Sequence, residues 1–290
     1  MTVSSASVSL KETPRRRVKR RLTISEVLCA IVIGIAAILA IAGPALAPHD
    51  PDAVDLANAN VGTTLAGFHP LGFDAEGRDL LSRVLAGART SMVGPLIVVL
   101  IAVSLGSLVA VAAAWVGGWL DMTAGAVLDV IFAFPGLLLA VLATAVFGPG
   151  LTAAAMALVI AYVPYVARVL RASALRERSR DYVAALEVQG QPALAICLRH
   201  ILPNMFRVIV AEATILFGWA MLDLAAISFL GLGVQPPAAD WGVMVSEGEV
   251  GVLQGYPGES LAAGIAIVLV VVAFNVAGER LATRASEGNR

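Results

Sequence analysis

Lysine is almost absent from this chain of 290 residues. Its two lysines, Lys11 and Lys19, both lie in the amino-terminal tail. A phosphate-binding loop of the Gly-Lys-Ser/Thr type needs a lysine that reaches the phosphates of a nucleotide. Neither lysine stands in such a motif. The chain therefore cannot hydrolyse ATP by that chemistry, and we expect it not to be an enzyme.

Charge of either sign is scarce. Charged residues make up 14% of the chain, against about 25% in soluble domains. Hydrophobic residues make up 59%, and the mean hydropathy is +0.86. This composition is typical of a membrane protein in contact with lipid. The formal net charge of −1 gives no sign of nucleic-acid binding, and we expect no nucleic-acid partner.

Cysteine and histidine are also few. Cys29 lies in the first apolar run and Cys197 in a polar segment far along the chain, so a structural disulfide is not expected. The three histidines, His49, His69 and His200, are scattered, and neither cysteine completes a ligand set with them. We therefore predict no metal site and no cofactor in this chain.

Long apolar runs predict six transmembrane helices, since about 20 residues cross about 30 Å of hydrocarbon. Before the core come a basic tail (1–24), a first transmembrane helix (25–48, with its apolar run at 27–47) and a loop (49–87). The core (88–279) holds spans at 92–116, 123–147, 151–170, 208–230 and 260–279, a polar hairpin at 180–204 and a loop at 231–259. A tail (280–290) follows. The predicted fold is an all-α polytopic membrane protein.

The distribution of arginine and lysine predicts the orientation. Seventeen of the 20 lie in the amino-terminal tail, around the polar hairpin or at the carboxyl end. Only Arg78, Arg83 and Arg89 lie on the other side. Positive charge stays in the cytoplasm, so we expect both termini and the hairpin to be cytoplasmic, with the loops 49–87 and 231–259 extracytoplasmic. A cleavable signal peptide ending at Ala45-Leu46-Ala47 is the alternative, but the apolar run is too long for one.

The polar hairpin is the most informative segment. Residues 180–204 read RDYVAALEVQGQPALAICLRHILPN between long apolar runs. Gly190 predicts the end of a short helix, and Pro203 predicts a second stop. A short helical unit that projects from a membrane bundle can fit a groove on another protein. An ordinary connecting loop with a basic anchor is the alternative from these residues alone.

Four stretches resemble the C-type inner-membrane permease subunit of dipeptide/oligopeptide/nickel ABC importers. They are the hairpin itself, HPLGFDAEGRDLLSRVLAGARTSM (His69–Met92), LDLAAISFLGLGVQPPAADWGVMVSEG (Leu222–Gly248) and AFNVAGERL (Ala273–Leu281). The resemblance covers nearly the whole chain, and Asp223 in its LDLA stretch is most similar to dipeptide-type members. It implies the type I ABC-importer permease fold, with six transmembrane helices and a cytoplasmic coupling helix.

The resemblance also implies function, location and partners. The expected function is to form half of a pathway for dipeptides or oligopeptides across the bacterial plasma (inner) membrane, surrounded by lipid. The expected partners are a homologous second permease subunit, two ABC ATPase subunits that bind ATP and Mg²⁺, and an extracytoplasmic binding protein that delivers peptide.

The hairpin, as the coupling loop of this family, implies a set of ATPase contacts. They are Asp181, Tyr182, Ala184, Ala185, Gly190, Arg199, His200, Leu202 and Pro203. The chain departs from the family pattern at Ala184, where a glutamate is common, and at Ala126, where an arginine is common.

Three carboxylates fall inside predicted spans: Asp129, Glu212 and Asp223. A charge at mid-membrane costs about 2.5–3.5 kcal/mol, so each should face the bundle interior or a wet cavity. Glu212 and Asp223 are 11 residues apart, which is about three helical turns, so they share one face. They line the translocation path or they bind neighbouring helices. Asp129 is a further path candidate, although a role in helix packing is favoured for it.

Other charged residues and prolines have simpler explanations. Arg78, Asp79 and Arg83 predict a solvated helix start with local charge pairs, and contact with a docked binding protein is the alternative. Pro95, Pro135 and Pro164 predict kinks within spans. A secondary transporter would show two matching halves, which are not found. An intramembrane hydrolase would need a catalytic set at membrane depth, and no histidine lies there.

Overall fold

The computed structural model describes residues 23–64 and 67–287, and within these ranges the chain is helical with no β-strand. In chain order the helices are α1 (Ile24–Leu46), α2 (Leu80–Val116), α3 (Gly118–Phe132), α4 (Gly136–Phe147), α5 (Leu151–Arg178), α6 (Asp181–Val188), α7 (Ala193–Ile196), α8 (Leu202–Asn204), α9 (Phe206–Phe229), α10 (Trp241–Glu247), α11 (Glu249–Leu253) and α12 (Gly258–Glu287). A 3-10 turn spans Leu56–Asn58, and a π turn spans Cys197–Ile201. The predicted all-α class is confirmed.

Five helices are long and apolar enough to cross a membrane: α1, α2, α5, α9 and most of α12. The helices α3 and α4 together are also apolar enough, but they meet at an angle of 76°. The chain therefore has six candidate spans if this bent pair counts as one. The pair is a broken span or a re-entrant loop.

The bend of 76° between α3 and α4 is sharper than the kink at Pro135 that was expected within the span 123–147. Pro135 lies at the break and precedes the first residue of α4. Proline has no N–H to donate, and its ring disfavours a helical conformation in the residue before it, Phe134. Helix α2 also begins at Leu80, well before the predicted span at 92, and α5 continues to Arg178, beyond the predicted end at 170.

Close packing between the long helices depends on small residues. Helix α2 packs along α5 and α9, α9 packs along α12, and α1 lies against α2 and α12. A Cβ atom at Gly106 in α2 would lie 2.6 Å from Val166 Cγ1 in α5. One at Gly278 in α12 would lie 2.5 Å from Ile215 Cγ1 in α9. Glycine at such positions lets membrane helices approach closely, so these contacts fix the spacing of the bundle.

Two arginines near the start of α2 are buried among carboxylates. Arg78 Nε donates to Asp74 Oδ2 at 2.5 Å, and its Nη2 donates to Glu247 Oε2 at 2.8 Å. Arg83 Nη2 donates to the same Glu247 oxygen at 2.9 Å, and Arg83 is 0% exposed. We call these four residues the arginine–carboxylate cluster. It joins the loop before α2 to the end of α10, so the expectation of a solvated helix start at Arg78, Asp79 and Arg83 was wrong.

The first turn of α10 supplies a second set of contacts to α2. The Asp240 carboxylate accepts hydrogen bonds from Gly242 N at 2.9 Å and from Ser91 Oγ at 2.8 Å. Ser91 Oγ in turn accepts one from Trp241 N at 2.9 Å, and Trp241 Nε1 donates to Val84 O at 2.9 Å. Asp240 therefore caps α10 and fixes it to α2 at once.

Arg83→Met should destabilise the protein by about 3–5 kcal/mol, because it removes one of the two guanidinium groups that compensate Asp74 and Glu247. The midpoint of thermal unfolding of the purified protein measures this. Arg89→Met is the matched control, since Arg89 lies on the same helix but is exposed. Equal midpoints for the two variants would show that the cluster does not hold this end of the bundle together.

Candidate functional site

The polar hairpin between α5 and α9 is built from α6, a tight turn and α7. Helix α6 ends at Val188, and Gly190 has a φ of +73°, in the left-handed region that favours glycine. A Cβ atom at Gly190 would meet nothing within 4 Å. Any larger residue there is therefore disfavoured by backbone conformation and not by a clash. Pro192 then precedes the first turn of α7.

Pro203 does not stop a helix, contrary to the prediction. The backbone stays right-handed helical from Ala193 through Asn204 and continues into α9. A π turn at Cys197–Ile201 precedes the proline, and Leu202 N–H donates to Cys197 O, five residues back. This wider turn shifts the pattern of backbone hydrogen bonds just before Pro203. Without the shift, the N–H that proline lacks would leave a gap in the hydrogen bonds of the helix.

The base of the hairpin is anchored to the bundle by polar contacts. The Tyr182 hydroxyl donates to Glu177 Oε2 at 3.1 Å and accepts from Asn204 Nδ2 at 3.1 Å. Burial raises the pKa of the Tyr182 hydroxyl above its usual value. The Arg178 guanidinium lies 4.2 Å from the centre of the Trp115 ring, at the end of α2. Tyr182 thus joins α6 to α5 and to α8, and Arg178, the last residue of α5, packs against α2.

The inner side of the hairpin is packed, and its outer side is not. The buried residues are Val183, Ile196, Cys197, Ile201 and Met205. On the outer side Val188 is 89% exposed and Leu194 is 70% exposed. We give the name hairpin tip to five exposed apolar residues of this side: Ala184, Ala185, Val188, Leu194 and Leu198.

The predicted contact residues divide between the two sides. Those exposed are Asp181, Ala184, Ala185, Gly190, Arg199 and Pro203. Tyr182, His200 and Leu202 are half-buried. Val188 and Leu194 were not among the predicted contact residues, although both are large apolar side chains that flank the Gly190 turn in the sequence.

The two carboxylates of α9 both face α5. Asp223 Oδ2 accepts a hydrogen bond from the Tyr162 hydroxyl at 2.6 Å, and Asp223 is half-buried. Glu212 is buried beside the Tyr165 hydroxyl. Glu212 also lines a cavity of about 170 Å³ near the base of the hairpin. The expected shared face thus lies against one neighbouring helix, with a tyrosine partner for each carboxylate.

Asp129 lies on α3 and forms an ion pair with Arg168 of α5. Both side chains are more than half exposed. Asp121 makes a second pair with Arg171, whose Nε lies 2.6 Å from Asp121 Oδ1. The two pairs fasten α3 to α5, which is the helix-packing role favoured for Asp129 from the sequence.

The histidines are not all scattered, contrary to the prediction. The rings of His49 and His69 stack with centroids 4.2 Å apart, and both lie beside Asp79. The loop between α1 and α2 folds back to bring them together, which no sequence spacing indicates. His200 lies apart, on the π turn.

Comparison with known proteins identifies relatives over most of the chain. Residues 102–287 match the family described as binding-protein-dependent transport system inner membrane component. The dipeptide transport system permease protein DppC of Alkalihalophilus pseudofirmus is 37% identical over 213 residues, 73% of this chain and 70% of that protein. The glutathione transport system permease protein GsiD of Escherichia coli is 35% identical over 268 residues, 92% of this chain and 86% of that protein. GsiD of Pectobacterium atrosepticum is 34% identical over 272 residues, 93% and 89% respectively.

The family match covers more than half of the chain and includes the hairpin, α9 and α12. The long apolar helices agree with a multi-pass protein of the inner membrane. The chain belongs to the family of binding-protein-dependent transport system inner membrane components, the permease subunits of type I ABC importers.

Proposed function

We propose that this chain forms one half of the transmembrane pathway of an ATP-driven importer of short peptides. A homologous second permease subunit forms the other half. Two ABC ATPase subunits bind ATP and Mg²⁺ on the cytoplasmic side, and an extracytoplasmic binding protein delivers the cargo. The relatives named for dipeptide and glutathione transport support a short peptide as cargo.

The observation that carries this proposal is the hairpin, with its apolar tip and anchored base. Apolar side chains that are exposed together on one surface indicate an interaction site, whereas single ones do not. Val188 and Leu194 lie on either side of the Gly190 turn, and both are exposed. In this proposal the tip enters a groove on an ATPase subunit, as a short helix fits a groove.

The orientation follows from the charge distribution. The hairpin and its flanks carry seven arginines, and the amino-terminal tail carries a further seven basic residues. We therefore assign the hairpin and both termini to the cytoplasm. The arginine–carboxylate cluster and α10 then lie at the extracytoplasmic end, where the binding protein docks.

The hairpin acts as a lever in this mechanism. Its base is held by Tyr182, Glu177 and Asn204, while Arg178 rests on Trp115. Movement of the tip with an ATPase subunit therefore moves α2, α5 and α9 together. Rigid-body rotation of this kind alternates the open side of the pathway.

The cargo pathway passes Asp223 in this proposal. One of its oxygens accepts from Tyr162, while the other accepts no hydrogen bond from the described residues. The negative charge would attract the amino terminus of a peptide. Glu212 and Asp129 are further path candidates, but a packing role is better supported for both, because Glu212 is buried and Asp129 pairs with Arg168.

Val188→Asp should reduce cargo-stimulated ATPase activity by roughly tenfold, because it places a charge on the apolar tip. The side chain is 89% exposed, so the chain itself should still fold and insert. Gly190→Val should act in the same direction by straining the turn. ATPase activity and co-purification of the ATPase subunits measure the effect.

Leu253→Asp is the matched control for the tip. Leu253 is 83% exposed and lies at the end of α11, away from the hairpin. It should leave ATPase association unchanged. Normal coupling in Val188→Asp, or an equal loss of ATPase co-purification in both variants, would contradict the assignment of the tip.

Asp223→Asn should slow the uptake of cationic peptides relative to neutral ones, by about tenfold at most, because cargo passes such a path and does not bind it tightly. Tyr162→Phe is the control, since it removes the hydrogen bond but keeps the charge. If both variants lower thermal stability alike and neither changes the ratio of cationic to neutral uptake, Asp223 has a structural role only. Glu212→Gln, measured beside them, should lower stability without changing that ratio.

A further inference from the structure

Three side chains with metal-binding atoms converge beside the first turn of α2. They are His49, His69 and Asp79, and one ligand atom from each lies within 4.8 Å of the others. His69 Nδ1 lies 2.8 Å from Asp79 Oδ1, and His49 Nδ1 lies 3.7 Å from Asp79 Oδ2. The three residues come from three places in the chain: just after α1, within the following loop, and at the N-cap of α2.

Asp79 is a buried carboxylate without a strong cationic partner. Its side chain is 2% exposed, and no arginine or lysine nitrogen lies within 4.0 Å of it in the ranges 23–64 and 67–287. The nearby Arg78 and Arg83 are instead engaged by Asp74 and Glu247. A buried charge needs compensation. Ser82 N and Ser82 Oγ, in the first turn of α2, supply part of it to Asp79 Oδ2, and the two imidazoles lie beside the same carboxylate.

His49 adds an unsatisfied atom to the cluster. Its Nδ1 is buried and has no hydrogen-bond partner among the described residues. Its backbone N–H donates to Ser82 Oγ at 3.0 Å. Ser82 Oγ and Ser82 N both donate to Asp79 Oδ2, at 2.6 and 2.8 Å. The His49 backbone and the Asp79 carboxylate are thus both held by Ser82 of α2, and His49 Nδ1 is left without a hydrogen bond 3.7 Å from Asp79 Oδ2.

We propose that His49, His69 and Asp79 bind one divalent transition-metal cation of the Zn²⁺ type. Two imidazole nitrogens and one carboxylate oxygen are a donor set that suits such a cation. Metal–ligand distances of about 2.0–2.2 Å place tetrahedral ligands roughly 3.3 Å apart, and the three ligand atoms lie within 4.8 Å of one another. Because the two rings are stacked, one imidazole must rotate out of the stack when both nitrogens bind the same cation. The proton on His69 Nδ1 moves to its Nε2 when the metal takes its place, and the imidazole stays neutral.

The site would act as a clamp on the extended loop between α1 and α2. Among its described residues that loop contains only a 3-10 turn and isolated bridges as regular structure, and backbone hydrogen bonds such as Asn60 N to Asp74 O at 2.9 Å hold its second half together. A cation bound to His49, His69 and Asp79 would fasten its beginning and its middle to the start of α2. Binding to the folded state alone stabilises that state. This inference rests on the geometry of the cluster and is independent of the proposed cargo.

Titration of Zn²⁺ into the purified full chain, after removal of metals with a chelator, tests the proposal. We expect one high-affinity Zn²⁺ per chain and a higher midpoint of thermal unfolding with Zn²⁺ than without. His49→Gln and His69→Gln should each weaken the affinity for Zn²⁺ by more than about tenfold. Loss of a residue that only supports a metal ligand already costs about that much, and these two residues are ligands themselves. Both should also abolish the shift in midpoint. Mg²⁺, which prefers oxygen ligands, should not replace Zn²⁺.

His200→Gln is the matched control, because it removes a histidine far from the cluster and should bind Zn²⁺ like the unaltered chain. His49→Gln is the decisive variant: His49 Nδ1 makes no hydrogen bond in the described structure, so its loss should not impair folding. If His49→Gln and the unaltered chain bind Zn²⁺ with equal affinity, or if Zn²⁺ leaves the midpoint of the unaltered chain unchanged, the proposal is wrong.

Discussion

The arginine–carboxylate cluster is the constraint on which one whole end of the molecule depends. Removing two guanidinium groups from water costs several kcal/mol for each ion unless good geometry compensates. Here Glu247 Oε2 accepts from both Arg78 and Arg83, and Asp74 accepts from Arg78. Because Glu247 is 164 residues from Arg83, the cluster forms only when α10 is docked on α2. Folding of this end is therefore coupled to the packing of the bundle.

The opposite end is built on a different principle. Its short helices are anchored at the base and exposed at the tip, where Val188 and Leu194 have no partner within the described chain. Between the two ends run α2, α5 and α9, held in close contact by small residues such as Gly106. If an ATPase subunit binds the hairpin as proposed, a force on the hairpin should tilt these helices, since close-packed helices do not compress.

The sequence predicted those parts of the fold that depend on composition along a single segment. Apolar runs indicated the long helices, because an unsatisfied polar backbone in lipid costs too much for any other conformation. Gly190 indicated the turn, because few other residues adopt its φ. The number of apolar residues in a segment does not specify the angle between two helices that meet at a break. The bend at Pro135 was accordingly expected as a kink and found as a turn of 76°.

The features that were missed depend on contacts between distant segments. The burial of Arg83 needs Glu247, and the meeting of His49 with His69 needs a loop that folds back on itself. Pro203 was misjudged for a local reason: a π turn before it accommodates the missing N–H. Asp223 and Glu212 were correctly placed on one face, but their tyrosine partners on α5 were not foreseen.

Site-specific photocrosslinking from position 188 of the assembled transporter tests the central claim most directly. A photoreactive amino acid in place of Val188 should form a crosslink to an ATP-binding subunit, and the same amino acid in place of Leu253 should form none to that subunit. A crosslink from position 188 to the extracytoplasmic binding protein, or none to the ATP-binding subunit in an active transporter, would contradict the account.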